Sequence, residues 1–450
     1  MLNHINLDKK ENFITDEGQL TDIFYSGVKN CSAKNVGLEF EKLPVLKTNY
    51  KAAPYSEVAK FLQGYGADGC NGIFENQSIL GLSNSQGTIT LEPGSQTELS
   101  LVPQGDLLKL KQYIDVYNKK TAQIAQNFGI YWLGCGIQPV STYKNINIIP
   151  KKRYEYMTKY LPTVAAKPLI MMRETAGIQA SFDYESEEDA MKKFAFALKL
   201  SPIISAAYAN SPIRNGRLTK LKSNRAASWL ETDNDRCGLV SSKVFKGEFS
   251  FEDYAQILLD VPMIFIERTI NDVKTALKVE NLTFRQFLKN GYEHWHATKE
   301  DWELHLSLYF PDVRLKTYIE IRNHDNQKSD LICSVPALWK GLIYNTGAME
   351  SVNDLLKGFA YFDFEYLRRK TPQYGLDMRI KHFSLKDIVK EIVQISYDSL
   401  KGYGQSEEKL LEPFLELIKD GATPADVVIK NWNGSWGGDI EKFAAYSRLS

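Results

Sequence analysis

The sequence predicts an α+β fold, with strands concentrated before residue 335 and a mostly helical region after it. Three observations carry that expectation. Short runs alternating apolar and polar residues recur before residue 335, the pattern of strands with one polar face. Longer capped segments of helical character are interleaved with them. Beyond residue 335 one helix-start signal follows another.

In chain order, VGLEFEKLPV (36–45) reads as a strand whose Glu39 and Glu41 share one face, with Leu38 and Phe40 on the other. Two adjacent carboxylates repel, and burying both requires a counter-ion. A hard divalent cation would supply one, and a solvent-facing strand would need none. ITLEPGSQTELS (89–100) is strand on both sides of a Pro93-Gly94 corner, and Glu92, Gln96 and Glu98 keep one parity across it. Residues 106–129 form a long helix with Asp106 as N-cap and Gly129 at its end, and YWLGCGI (131–137) is a short buried strand. TAGIQASFDY (175–184) sets Thr175, Gln179, Ser181 and Asp183 on one face and Ala176, Ile178, Ala180 and Phe182 on the other.

Residues 186–210 read as a helix with a serine cap and acids in its first turn, which Pro202 should kink or break. LKSNRAASWLETDNDRCG (221–238) crowds Arg225, Trp229, Glu231, Asp233, Asp235 and Arg236 into what reads as a loop. A charge run is ordinarily a solvated turn, yet an arginine four residues before a tryptophan suits a carboxylate gripped against an aromatic wall. VPMIFI (261–266) reads as a buried strand, and TKEDWELHLSLYF (298–310) opens as a capped helix. In TYIEIR (317–322) Tyr318, Glu320 and Arg322 face one way, either pairing with neighbouring strands or offering a metal ligand and a phosphate clamp. Helix starts at Ser384, Ser406 and Thr423-Pro424 mark the C-terminal part, read as a scaffold because it holds no clustered chemistry. A solvated face explains any one of these polar strand faces. Four of them in one chain favour a carboxylate-rich sheet face that holds metal.

The totals exclude several classes. The 55 basic and 55 acidic residues cancel, so no bulk attraction to nucleic acid or an anionic membrane is implied. No stretch approaches the roughly 20 apolar residues of a membrane span, and MLNHINLDKKENF has no secretory apolar run. Five scattered cysteines without a CxxC pair suit a cytoplasmic protein with no zinc site. Phosphate-binding P-loop, GxSxG and HExxH patterns are missing, and no GxGxxG follows a strand as a dinucleotide fold requires. GYGADGCNG (64–72) reads as a turn, and His294 with His296 as surface or core.

The order of GLEFEKLPV, FENQSILGLSNSQGTITLEPGSQTELS, PKKRYEYMTKYLP, the 225–236 cluster, LDVPMIF, YIEIR and LICSVPALWKGLIYN resembles the plant-type glutamate–cysteine ligases, also found in bacteria, of the glutamine synthetase/guanidino-kinase-like superfamily. The likeness runs from about residue 35 to the C-terminus. LEPGSQTELS beside the family's LEPGGQFELS, and ETDNDR beside WTDTDPDR, are its most specific pieces.

The resemblance implies an antiparallel sheet curved into a funnel, with helices on its outer face and Mg²⁺ and ATP on the concave one. It implies one catalytic domain over residues 1–450, although length alone suggests two or three. Residues 1–34 would be a helical extension and 335–450 a helical part packed on the sheet.

It further implies that glutamate and cysteine are joined through an acyl phosphate. Glu39, Glu41, Glu92, Glu98 and Glu320 would be ligands to two or three ions, and Arg322 a phosphate contact. Glu39, Glu41, Glu98 and Arg322 would be the catalytic set. Arg225 would hold the glutamate α-carboxylate beside Trp229, and Arg153, Thr175 and Gln179 would line the substrate or nucleotide side. The partners are then small molecules, with the protein a monomer or homodimer.

Residues 175–183 depart from the family's TCTVQVNLD at Ala176, Gly177 and Ser181, and Gln77, Ser95 and Thr97 stand where Gly, Gly and Phe are frequent. These departures keep another amine acceptor open; a nucleotide- or metal-binding homologue without turnover is a further alternative, against which the intact glutamates count.

Overall fold

The computed structural model describes residues 13–67, 69–270 and 273–450. Nine antiparallel strands form its main sheet: β1 Val36–Leu46, β2 Asn71–Glu75, β3 Ser78–Asn84, β4 Gly87–Leu91, β5 Thr97–Leu101, β6 Ile130–Leu133, β7 Gly177–Phe182, β8 Val313–Leu315 and β9 Ile319–Asp325. Their order is β8-β9-β7-β1-β5-β4-β3-β2, with β6 on the far end of β1. The long central β1 is therefore shared: its first half pairs with β7, its middle with β5 and its last four residues with β6.

Register decides what each face carries. Leu38 lies opposite Ala180, Phe40 opposite Leu99, Ile321 opposite Ala180 and Ile319 opposite Phe182, and all are buried. On the reverse face Glu41 lies directly opposite Glu98, Glu39 opposite Gln179 and Glu320 opposite Ser181. Alternation within each strand thus becomes one apolar and one polar sheet surface.

Helices cover the apolar surface. Helix α1 (Leu107–Gln126) is capped by Asp106, which accepts from the Leu108 and Lys109 amides, and the chain leaves it through Gly129 at φ +67°. Its Tyr117 meets Phe40 edge-on. Further along, α2 (Lys152–Val164), α3 (Pro168–Glu174) and α5 (Asn224–Trp229) border the polar face instead, while α4 (Glu187–Ala207) and α6 (Ser334–Ile343) pack on the sheet and α7 (Leu385–Gly402) on α6. Pro202 does not break α4. Leu198, Ile203 and Ile204 are fully buried around it, and that packing carries the segment across the missing backbone bond. Helix α6 is buried at every position and packs on α7, and its Lys340 pairs with Glu407 at 2.6 Å, both 1 % exposed. One apolar cluster runs from Ile14 to Leu449. Among the described residues no helix is long and apolar enough to cross a membrane.

Several expectations shift. Of the expected N-terminal extension, residues 1–12 lie outside the described residues, and the helical content of 13–34 is only a 3-10 turn (Glu17–Thr21) and one helical turn (Asp22–Tyr25). Val261, Met263 and Ile264 are buried but precede the strand Phe265–Ile270 rather than forming it. Ser406 opens a 3-10 helix from φ +61°, without a side-chain cap.

Two buried histidines lie behind the sheet and beside it. His324 on β9 accepts from the Trp339 indole at 2.8 Å while its Nδ1 lies 3.2 Å from the Ile178 carbonyl, and His305 Nε2 lies 2.8 Å from the Leu258 carbonyl. Burial pushes their pKa values down, to about 3 and about 4. A depressed folded-state pKa contributes stability that is complete above the unfolded value near 6.5. That stability is lost as pH falls through the folded value, at up to about 1.4 kcal/mol per pH unit for each ring. NMR titration should therefore find both rings neutral at about pH 5, where a solvent-exposed imidazole is charged. His294 and His296 are exposed at the surface.

Candidate active site

On the polar sheet surface a cavity of about 310 Å³ brings together every candidate site residue: Glu39, Glu41, Glu92, Glu98, Arg153, Thr175, Gln179, Arg225, Trp229, Glu320 and Arg322. They come from β1, β5, β7, β9, the corner after β4, the link between α3 and β7, and helices α2 and α5. Lys151, Tyr154, Arg314 and Lys316 join them, so five carboxylates face six cationic side chains.

The corner after β4 is built locally. The Ser95 amide bonds the Glu92 carbonyl and the Glu92 amide the Gln96 carbonyl, both at 2.8 Å, which turns the chain within four residues. Gly94 lies so close to α3 that a Cβ would run into the Arg173 carbonyl. Gln96 accepts from the Gly94 amide and donates to the Met172 and Thr175 carbonyls, so its amide clamps the corner to α3 at the cavity wall. Ser95 itself sits at φ +68° and Gln77, in the β2–β3 turn, at φ +67°. Left-handed backbone is costly with a Cβ, and both stand where the family pattern has glycine. Ser95→Gly is expected to raise stability by about 1 kcal/mol, read by urea unfolding.

Burial and mutual repulsion govern the carboxylates. Glu98 is driven well above the ordinary range by burial and then by Glu39, Glu92 and Glu41. Glu41 is pushed to about 7 by burial and by Glu92, although the Gly177 amide donates to its Oε2 at 2.6 Å. Glu39 is raised by burial and by Glu320. Glu92 accepts from the Tyr154 hydroxyl at 3.2 Å. None of these four is in an ion pair among the described residues. Oxygen-only donors that repel each other fit a hard divalent cation in their chemistry. Among the described residues, however, no three are already drawn into a metal cage.

Glu320 differs. Arg314 grips both its oxygens, at 2.7 and 3.1 Å, Arg322 donates to Oε2 at 2.7 Å and Lys316 lies 3.6 Å away. Burial alone would raise its pKa, but Arg314, Arg322 and Lys316 overcome that and hold it far below the carboxylate range. An ion reaching Glu320 would have to share oxygens already held by two guanidiniums. Arg322 also donates to the Gln179 side-chain oxygen.

Arg153 is anchored to Ser307, donating to its hydroxyl and carbonyl at 3.2 and 3.0 Å. The Thr175 hydroxyl is spent on the Met171 carbonyl at 2.6 Å, so its contribution to the cavity is its methyl and backbone. Asp183 turns away and pairs with Lys29. The 221–238 run is no simple loop: Ser223 caps α5, which carries Arg225 and Trp229, and Arg236 is buried against Asp233 and the Pro262 carbonyl.

Nor is the C-terminal part scaffold alone. Arg368, paired with Asp312 at 3.0 Å, and Thr371 line a smaller adjoining cavity with Arg225, Trp229 and Arg322. Of the residues missed, Arg314 and Lys316 were accessible to the same alternation rule, because they alternate with the apolar Val313 and Leu315.

Comparison with known proteins gives the family. The model of glutamate–cysteine ligase family 2 matches residues 35–445. The chloroplastic glutamate–cysteine ligase of Nicotiana tabacum is 33% identical over 420 residues, spanning 92% of this chain and 80% of that one. The Arabidopsis thaliana enzyme gives the same values. Among solved structures, glutamate–cysteine ligase from Francisella tularensis in complex with AMP superposes with TM-score 0.51 at 12% identity, covering 92% of this chain and 88% of that one. A bifunctional glutathione synthetase from Pasteurella multocida gives 0.52 at 13%, covering 96% and 52%. These two share the fold, a large antiparallel sheet with packed helices. By the extent of the family match and the identity to its plant members, the chain belongs to glutamate–cysteine ligase family 2, a family of ligases.

Proposed function

We propose that the protein joins the γ-carboxylate of glutamate to the amine of cysteine at the expense of ATP, a step of glutathione biosynthesis. The observation that carries this reading is the cavity itself, where four carboxylates from β1, β5 and the Pro93-Gly94 corner, held in no ion pair among the described residues, face a bank of arginines and lysines. Carboxylate is a poor acylating agent, so an oxygen of the glutamate γ-carboxylate first attacks the terminal phosphorus of ATP and ADP leaves. The amine nitrogen then attacks the acyl carbon, and phosphate departs with the oxygen it gained.

Neither step needs a covalent enzyme intermediate. The protein's part is positioning and charge neutralisation. Glu39, Glu41, Glu92 and Glu98 would hold two or three Mg²⁺ ions, which supply charge neutralisation on the transferring phosphoryl group. Arg322, locked by Glu320 and Gln179, and Arg153, locked by Ser307, offer guanidinium donors to phosphate oxygens. Arg225 would take the glutamate α-carboxylate, with Trp229 as the wall beside it. We read the sheet as the funnel of the glutamine synthetase/guanidino-kinase-like enzymes, with the polar face concave.

A second reading keeps the chemistry and changes the acceptor. It is favoured by the 175–183 strand, where the Thr175 hydroxyl is tied down and Gly177 offers no side chain. Phosphate release from ATP with Mg²⁺ and glutamate, run against cysteine and a panel of amino acids and amines, decides. Release with cysteine alone supports the first reading, release with a different amine the second, and no release with any pair defeats both.

A further inference from the structure

Arg225 is held at two places by residues that touch neither ATP nor the reacting carboxylate in the proposed reaction. At its backbone end is Asp325, 1 % exposed at the end of β9. Asp325 accepts from the Ser211 hydroxyl at 2.6 Å, the Ser223 hydroxyl at 2.8 Å and the Asn210 amide at 2.8 Å. The same two hydroxyls fix the start of α5: Ser223 accepts from the Ala226 amide at 2.9 Å and Ser211 from the Arg225 amide at 3.2 Å. Room for the carboxylate exists because residue 136 is glycine; a Cβ there would stand 2.5 Å from Asp325 Cγ.

At the other end the guanidinium lies against Gly177. A Cβ at 177 would stand 2.5 Å from Arg225 Nη2, 2.8 Å from Cζ and 3.0 Å from Nε. The head group therefore occupies the space a side chain would fill, and its Nη2 donates to the Arg322 carbonyl at 2.8 Å. Its Nε is buried with no hydrogen-bond partner among the described residues, a donor in want of an acceptor. Gly177 is strand without positive φ, so the backbone does not demand glycine there. Its amide meanwhile donates to Glu41 Oε2 at 2.6 Å. One backbone position thus sets both the arginine and a carboxylate proposed to hold metal.

The geometry points to Gly177 and Asp325 as positioning residues for Arg225: the missing side chain of the one seats the guanidinium, and the carboxylate of the other fixes the turn from which it projects. This rests on the reading of Arg225 as the group that takes the α-carboxylate of glutamate. Gly177→Ala pushes the guanidinium off the strand, and Asp325→Asn loosens the start of α5.

The test is a pair of double-mutant cycles on glutamate affinity, measured by calorimetry, with Gly177→Ala and Asp325→Asn made singly and in an Arg225→Ala background. Melting curves show that each variant folds. Each single change is expected to weaken glutamate binding about tenfold or more and to raise the glutamate KM in step, with the ATP KM moved less than about twofold; in the Arg225→Ala background neither should have a further effect. The same loss in both backgrounds, an unchanged affinity in folded Gly177→Ala, or a wild-type protein that binds no glutamate overturns the inference. Because the cycles read binding, a wild-type protein that binds glutamate but releases no phosphate defeats the ligase reading alone.

Discussion

Replacing Glu98 with glutamine is expected to lower turnover by at least about a hundredfold while leaving the protein more stable than before. Both halves have one cause. Glu98 lies directly opposite Glu41 in the β1–β5 ladder, and like charges in that relation destabilise a sheet. Burial and three neighbouring glutamates raise its folded-state pKa. A raised pKa contributes stability that is full below the unfolded value near 4.5 and is lost as pH rises through the folded value, so at neutral pH an ionisable group at this position costs stability that a neutral one would not. The amide keeps the shape and removes the charge. The gain should be about 1 kcal/mol at neutral pH and vanish below about pH 4. Urea unfolding at the two pH values, alongside phosphate release, checks it. A variant that is less stable, or that turns over near-normally, would remove Glu98 from the strained cluster.

Glu320→Gln should do the opposite. Glu320 is 1 % exposed and compensates two buried guanidiniums, Arg314 and Arg322. Removing its charge leaves both without a full partner, a loss of about 3 kcal/mol. Its folded-state pKa is depressed, so its stabilisation is present above the unfolded value near 4.5 and survives far below it. The variant should therefore be weaker than wild type across the usable pH range, and extra Mg²⁺ should restore neither stability nor rate, because Arg322 has lost its fixed point. Full recovery at high Mg²⁺ with unchanged stability would instead make Glu320 a metal ligand first.

The contrast shows what strand alternation can and cannot tell. Parity placed Glu39 with Glu41, and Glu320 with Arg322, on one face of their strands, because side-chain direction in a strand is a local property. It did not separate the role of Glu320 from that of the others. That depends on register, which sets Arg314 of β8 directly opposite Glu320 of β9, a pairing between strands that alternation within one strand does not give. Helix α5 was hidden for a related reason: its Ser223 cap and the residues of NRAASW are ordinary helix signals, but a single turn and a half among charges reads as loop. The corner at Ser95 was visible as Pro-Gly, while the left-handed turn itself falls one residue later, on a serine. Arg368 and Thr371 lie far along the chain in a helix with no local mark of function, and only packing brings them beside Arg225.

The sharing of β1 among three partners has a consequence in time. Its neighbours in the ladder come from residues near 100, 130 and 180, and β9 joins β7 from residue 319 onward. No local segment can assemble the carboxylate face. Long loops must close before Glu41 meets Glu98, and the entropic cost of that closure falls before any contact repays it. The chain's helices can form early, but the cavity comes into being only with the last long-range pairing. During refolding, the appearance of the cavity is therefore a clock for the completion of the sheet.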